Sequence, residues 1–173
     1  NIVFRASGSA VLIDLGLAHH GHYPDLLAEE FRKPIGSAPY MAPEQVVGMR
    51  SDPRSDIFAL GAILYQLATG HLPFGSPTSV GGLRQRLHRY PKAPRALRPD
   101  LPPWLQELIL HCLTKQPWNR PANATAARAA FEGATKGPAA WPATEPRPVE
   151  PEPVVAMPVK ESAPAALITR DAG

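Results

Sequence analysis

Two short apolar runs open the chain. Ile2-Val3-Phe4 and Ala10-Val11-Leu12-Ile13 flank the turn-forming string Arg5-Ala6-Ser7-Gly8-Ser9, a pattern that predicts a β-hairpin. Residues 17–41 then show little periodicity, and a loop that long inside a compact domain is usually functional. From Ser55 the spacing becomes helical: Ser55 reads as the cap, and Ile57, Phe58, Leu60, Ile63, Leu64, Leu67 and Ala68 cover almost the whole circumference. That predicts a central helix buried on all sides, with Gly70 as its stop. A shorter helix is expected over about residues 78–88. Another should start at Pro102 or Pro103 and carry the stripe Trp104, Leu105, Leu108, Ile109, Cys112 and Leu113. An Ala-rich helix over about 122–132, ending at Gly133, completes a mainly α assembly with one short hairpin.

Composition divides the chain in two. Of its 173 residues 22 are proline, and from about Ala134 the sequence turns to Pro, Ala, Glu and Val. Such a stretch buries little, so 134–173 reads as a linker or disordered tail, with room for a further domain beyond it, and 1–133 as the globular part. The formal net charge of +3 is too small to argue for nucleic acid or an anionic membrane as partner. No apolar run approaches the roughly 18 residues of a spanning helix. The single cysteine, Cys112, excludes an internal disulfide and a Cys-rich zinc site; it sits on an apolar stripe and reads as a core residue. The expected compartment is a reducing cytoplasm.

The chemistry begins at Asp14-Leu15-Gly16, directly after the second apolar run. Taken alone, such a triplet favours a plain turn; in company, its carboxylate suits a metal ligand. Downstream in order come Gly36-Ser37-Ala38-Pro39-Tyr40-Met41, Ala42-Pro43-Glu44, Asp56-Ile57-Phe58-Ala59-Leu60-Gly61 and Trp118-Asn119-Arg120-Pro121. His19, His20 and His22 invite a metal reading, but without fixed helical spacing they read better as a solvated loop.

This ordered set resembles the C-terminal lobe of a eukaryotic-like serine/threonine protein kinase domain of bacterial type. The resemblance covers about residues 1–133, and implies a kinase-like C-lobe helical bundle of α+β parentage, with the N-lobe missing. It implies ATP and Mg²⁺ as cofactors, Mn²⁺ as a substitute metal, and protein substrates bearing Ser or Thr. Asn1, thirteen positions before Asp14, resembles the asparagine that closes the catalytic loop; both would ligate Mg²⁺ and contact the nucleotide's metal–phosphate unit. Leu15 stands where many relatives carry Phe, which loosens the packing behind the metal. Gly36 and Ser37 resemble the segment that positions the substrate hydroxyl, Ser37 otherwise being a capping or turn hydroxyl. Glu44 and Arg120 resemble the family's buried ion pair. Asp56 resembles the residue that holds the catalytic loop; it also reads as a helix-start acid favoured by the dipole, and both roles can hold together.

Three expectations concern activity. The glycine-rich loop, the strand lysine, the helix glutamate and the catalytic aspartate of the family are not in this sequence, which reads as starting inside the catalytic loop; the chain alone should transfer no phosphate. Apolar surface should be exposed at Ile2, Phe4 and Leu15. Between Leu17 and Gly36 the only hydroxyl is that of Tyr23, so control by Ser/Thr phosphorylation of the central activation loop is not expected. The alternative to an enzyme is a pseudokinase scaffold or protein-binding module.

Overall fold

A computed structural model describes residues 1–18, 37–49 and 52–136. They belong to one compact unit that is mostly helical with one small antiparallel sheet.

The hairpin forms where the apolar runs predict it. Strand β1 (Ile2–Phe4) pairs with β2 (Ala10–Leu12) in the register Ile2↔Leu12, Val3↔Val11 and Phe4↔Ala10. Gly8 takes φ +81 in the turn, a conformation that glycine adopts without steric cost. Both strands face solvent: Phe4 is 70% and Leu15 72% exposed, and Ile2 is exposed as well. These are the apolar positions expected to be uncovered, and exposed apolar groups of this kind are a liability for association.

Helix α1 (Pro43–Val46) is a single turn that begins at a proline whose missing N–H would be unpaired there anyway. The Gln45 side chain reaches back to accept from the Ala42 N–H at 2.9 Å. Helix α2 (Arg54–Thr69) is the axis of the unit. It ends as the sequence predicts, with Gly70 at φ 74 and its N–H on Gln66 O at 2.8 Å. Its start differs from expectation. Pro53 occupies the cap position, Asp52 Oδ1 accepts the Arg54 N–H, and Ser55 lies inside the first turn. Nor is α2 buried on all sides, because Leu60 and Leu67 face outward.

Helix α3 (Val80–Arg84) is capped by Ser79, whose Oγ accepts from Gly82 N at 3.1 Å, and runs into a 3₁₀ turn, Gln85–Leu87. The stretch expected at 78–88 is thus two short pieces. Two glycines in a five-residue helix leave little propensity to extend it. Helix α4 (Pro103–Cys112) begins at the expected proline. Helix α5 (Ala124–Lys136) is capped by Asn123, whose Oδ1 accepts from Ala126 N at 2.9 Å. It continues past Gly133 because that glycine adopts no left-handed φ.

The core lies between α2 and α4. Phe58, Ala62, Tyr65, Ile109 and Leu113 are buried there with Ala42, and Phe58 stacks on Phe74 with ring centroids 5.8 Å apart. Ile57, Leu108, Cys112 and Ala127 join α5 to the other face. Cys112 is fully buried, and desolvation pushes its thiol up to about 12, so it is a packing residue rather than a nucleophile. Gly61 sets how closely α2 and α4 approach. A Cβ there would sit 2.7 Å from Cys112 Cβ and 3.3 Å from the Cys112 backbone carbon. Gly61→Ala is therefore expected to destabilise by about 1–3 kcal/mol, despite the roughly 1 kcal/mol that alanine gains in helix propensity. A urea melt showing equal or greater stability would disprove that account of the helix spacing.

Candidate functional site

The open end of the hairpin carries the first two candidate residues. Ile13 N–H donates to Asn1 O at 3.0 Å, which extends the ladder one step and sets Asn1 beside the residue before Asp14. Regular alternation would send Asp14 to the opposite face from Ile13. The backbone breaks that alternation at Asp14, where φ is +60. Asp14 is the only non-glycine residue with positive φ among those described, and such a residue costs on the order of 1 kcal/mol unless its side chain bonds locally. Here the side chain does so weakly: Asp14 Oδ1 lies 3.4 Å from Gly16 N.

Asn1 and Asp14 offer an amide oxygen and a carboxylate, both hard donors, on an exposed edge. No cluster of three or more His, Cys, Asp or Glu exists among the described residues. This donor set fits Mg²⁺, which uses one or two carboxylates and takes its remaining ligands from water and phosphate. It would not make a closed structural metal site.

Ser37 opens the next segment. It stands at the cap position of a 3₁₀ turn, Ala38–Tyr40, yet its hydroxyl makes no capping bond and the residue is exposed. The segment behind it is anchored twice. Tyr40 Oη donates to Gln66 Oε1 of α2 at 2.7 Å, and Met41 is buried with Val46 and Leu83. Gly36, His19, His20, His22 and Tyr23 lie outside the described residues, as does the activation-loop reading built on them.

The third part is a buried tie between distant segments. Arg120 Nη1 and Nη2 donate to Glu44 Oε1 and Oε2 at 2.7 and 2.8 Å, a bidentate pair. The remaining donors reach backbone carbonyls: Nε to Thr114 O at 2.8 Å, Nη1 to Arg54 O at 3.0 Å and Nη2 to Lys115 O at 2.8 Å. All five N–H groups of the guanidinium are thus used, which is what a fully buried arginine requires. The Phe58 ring covers it, with Cζ 4.9 Å from the centroid. Ser55 Oγ donates to Glu44 Oε1 at 2.6 Å, so this serine serves the carboxylate and not the helix end. The ion pair matches what the motif order implies. Its hydroxyl donor, its three carbonyls and its aromatic cover have no motif of their own; position 58, aromatic and three after Ser55, was the one available signal.

Asp56 differs. It is exposed in the first turn of α2, and no hydrogen bond to its carboxylate is seen among the described residues. Its geometry is that of a helix-start acid favoured by the dipole.

Burial pushes the Glu44 carboxyl up, but the bonds from Arg120 and Ser55 outweigh it and hold it below the ordinary value of 4.5. Burial pushes His111 below 6.5, partly offset by a hydrogen bond with the Asn119 backbone. Both groups bind protons more weakly when folded, so both contributions are complete above the unfolded pKa and fade as pH falls through the folded one. The urea midpoint should be flat above about pH 7, fall below about 6.5 through His111, and fall again below about 4.5 through Glu44. His111→Gln should remove the upper step; a midpoint independent of pH from 7 to 5 in the parent chain would contradict it.

The protein kinase domain model matches residues 1–131, and the chain belongs to that family. Among similar proteins, a serine/threonine-protein kinase of Myxococcus xanthus, pkn3, is 45% identical over 103 residues, covering 58% of this chain and 19% of its own length. A probable serine/threonine-protein kinase of Clostridium acetobutylicum is 39% identical over 124 residues, 72% of this chain and 19% of that protein. Serine/threonine-protein kinase PknL of Mycobacterium tuberculosis is 32% identical over 132 residues, 76% of this chain and 33% of that protein. The chain thus spans between a fifth and a third of the length of these relatives.

Proposed function

We propose that this chain is the substrate-side lobe of a serine/threonine protein kinase, which moves the γ-phosphoryl group of ATP to a protein hydroxyl. In that reaction the bond from the hydroxyl oxygen to phosphorus forms as the bond to the ADP oxygen breaks, and the hydroxyl proton passes to a base. The observation that carries the reading is the hairpin end, where Asn1 pairs with Ile13 and Asp14 follows with a positive φ, within a chain that matches the family along its folded length. Asn1 and Asp14 would hold Mg²⁺ from one side, each through oxygen. Bound Mg²⁺ would neutralise charge on the phosphates during transfer. Gly36 and Ser37 would position the acceptor hydroxyl. Glu44 and Arg120 would keep the Ser37 segment fixed against α2 without touching substrate. Asp56, at the head of α2, would support the catalytic loop when the rest of the site is assembled.

Positioning and electrostatics do most of the work in phosphoryl transfer, so half a constellation should not give partial activity. Residues 1–173 alone are expected to show no transfer to a Ser/Thr peptide above background. The same chain joined to the upstream part of the family domain should show it. Transfer by the 173 residues alone would refute the division of labour. An extended domain that folds and binds nucleotide but transfers nothing would support the scaffold alternative.

A further inference from the structure

The charge of this chain is unevenly placed. No acidic residue occurs between Asp56 and Asp100, while six of the 18 Lys and Arg residues fall between Arg84 and Arg98. A net charge of +3 for the whole chain conceals this local excess.

The backbone that carries these cations is fixed at several points. Leu83 is buried against Met41 and Val46. Lys115 Nζ donates to His88 O at 2.8 Å, and Tyr65 Oη of α2 donates to Lys92 O at 2.9 Å. Pro94 is buried, Arg95 N–H donates to Gln106 Oε1 of α4 at 2.9 Å, and Leu97 packs on the core. Arg84, Arg89, Lys92 and Arg95 are exposed, and no carboxylate pairs with them among the described residues. Arg98 is engaged by Asp100 at 2.9 Å, so it does not count. Tyr90 stands 79% exposed in their midst, with Lys115 Nζ 3.8 Å from its ring centroid.

Cations that meet no carboxylate among the described residues, held on a fixed segment around an exposed aromatic ring, form a surface that needs little reordering to bind an anion-rich partner. We propose that the face formed by Arg84, Arg89, Tyr90, Lys92 and Arg95 docks an acidic peptide segment of the proteins that this kinase phosphorylates. The proposal rests on the kinase reading above and adds to it the class of substrate. A peptide suits the face better than a duplex: the positive residues span one short stretch of the chain, and a net charge of only +3 does not build the extended field that a long polyanion requires. Tyr90 gives an extended peptide an apolar contact between its carboxylates.

The test uses the 173-residue chain and a fluorescein-labelled twelve-residue peptide of Glu, Asp, Gly and Ala, with its Gln/Asn counterpart as control. Anisotropy should show binding of the acidic peptide only, weakening several-fold between about 50 and 200 mM salt as screening sets in. The triple variant Arg89→Glu, Lys92→Glu, Arg95→Glu should lose at least about tenfold in affinity, as reversed rim charges do, with an unchanged near-ultraviolet spectrum as evidence of folding. The extended catalytic domain supplies the second arm. There the variant should raise KM about tenfold for a Ser peptide bearing the acidic tract, with kcat and the KM of a neutral Ser peptide unchanged. Equal binding of the acidic and neutral peptides, equal binding by the triple variant, or tighter binding to a twelve-base-pair duplex or to phosphatidylserine vesicles would overturn the proposal. Peptide docking without any phosphotransfer by the extended domain would instead overturn the kinase reading alone.

Discussion

Glu44→Ala is expected to cost about 3–5 kcal/mol, the usual penalty for stranding one member of a buried ion pair. For a domain of this size that corresponds to a fall in melting temperature on the order of 10–20 °C. The structure sharpens the expectation by making the two partners unequal. Removing Glu44 leaves two guanidinium N–H groups and the Ser55 hydroxyl without an acceptor. Removing Arg120 leaves the carboxylate and also the carbonyls of Arg54, Thr114 and Lys115 without their donor. Arg120→Met should therefore be the more damaging change. The pair Glu44→Leu with Arg120→Met, which in a simpler site would restore much of the stability, should recover only part of it, because the three carbonyls stay unpaired. Thermal melts of the three variants decide this. A loss under about 1 kcal/mol for Arg120→Met would show that the tie matters far less than its geometry implies.

Asp14→Asn, placed in the extended catalytic domain, should lower kcat by about 10²–10³-fold, the scale set by deleting one electrostatic contact to a transferring group. Stability should hardly change. Asparagine enters the left-handed region as readily as aspartate, and Asp14 is exposed. That separation is the diagnostic: a structural role would move the melting temperature, a ligand role only the rate. Asn1→Ala should act in the same direction. Activity of Asp14→Asn within tenfold of the parent would remove Asp14 from the proposed metal site.

Much of this architecture can be read from the sequence, for reasons that differ by element. The hairpin was legible because two apolar runs flank a turn string that includes Gly8. The end of α2 was legible because only glycine fits the left-handed stop without cost. The start of α2 was not: a serine before an apolar run signals a cap, yet a carboxylate eleven residues earlier in the chain claims Ser55. Periodicity also overstated the burial of α2. Leu60 and Leu67 share its apolar pattern, but a pattern cannot say which neighbours are there to cover them. The length of α5 was misjudged for a local reason, since Gly133 can be either a stop or a tolerated interior residue and its φ decides. At the site, it was the family resemblance that linked Glu44 with Arg120 across 76 positions, which no local rule could do. Asp56 shows a different case: among the described residues its carboxylate accepts no hydrogen bond, and the loop that the family role would have it hold lies outside them.

The Arg120 tie also has a temporal side. A ribosome makes Glu44 and Arg54 long before Arg120, which supplies five donors to that pocket. Until the late arginine emerges, closing the core around Glu44 would desolvate a carboxylate with only a serine hydroxyl for company. Closure of the core around Glu44 is therefore expected to wait for the segment before α5. High-separation contacts of this kind slow folding, and here they also order it.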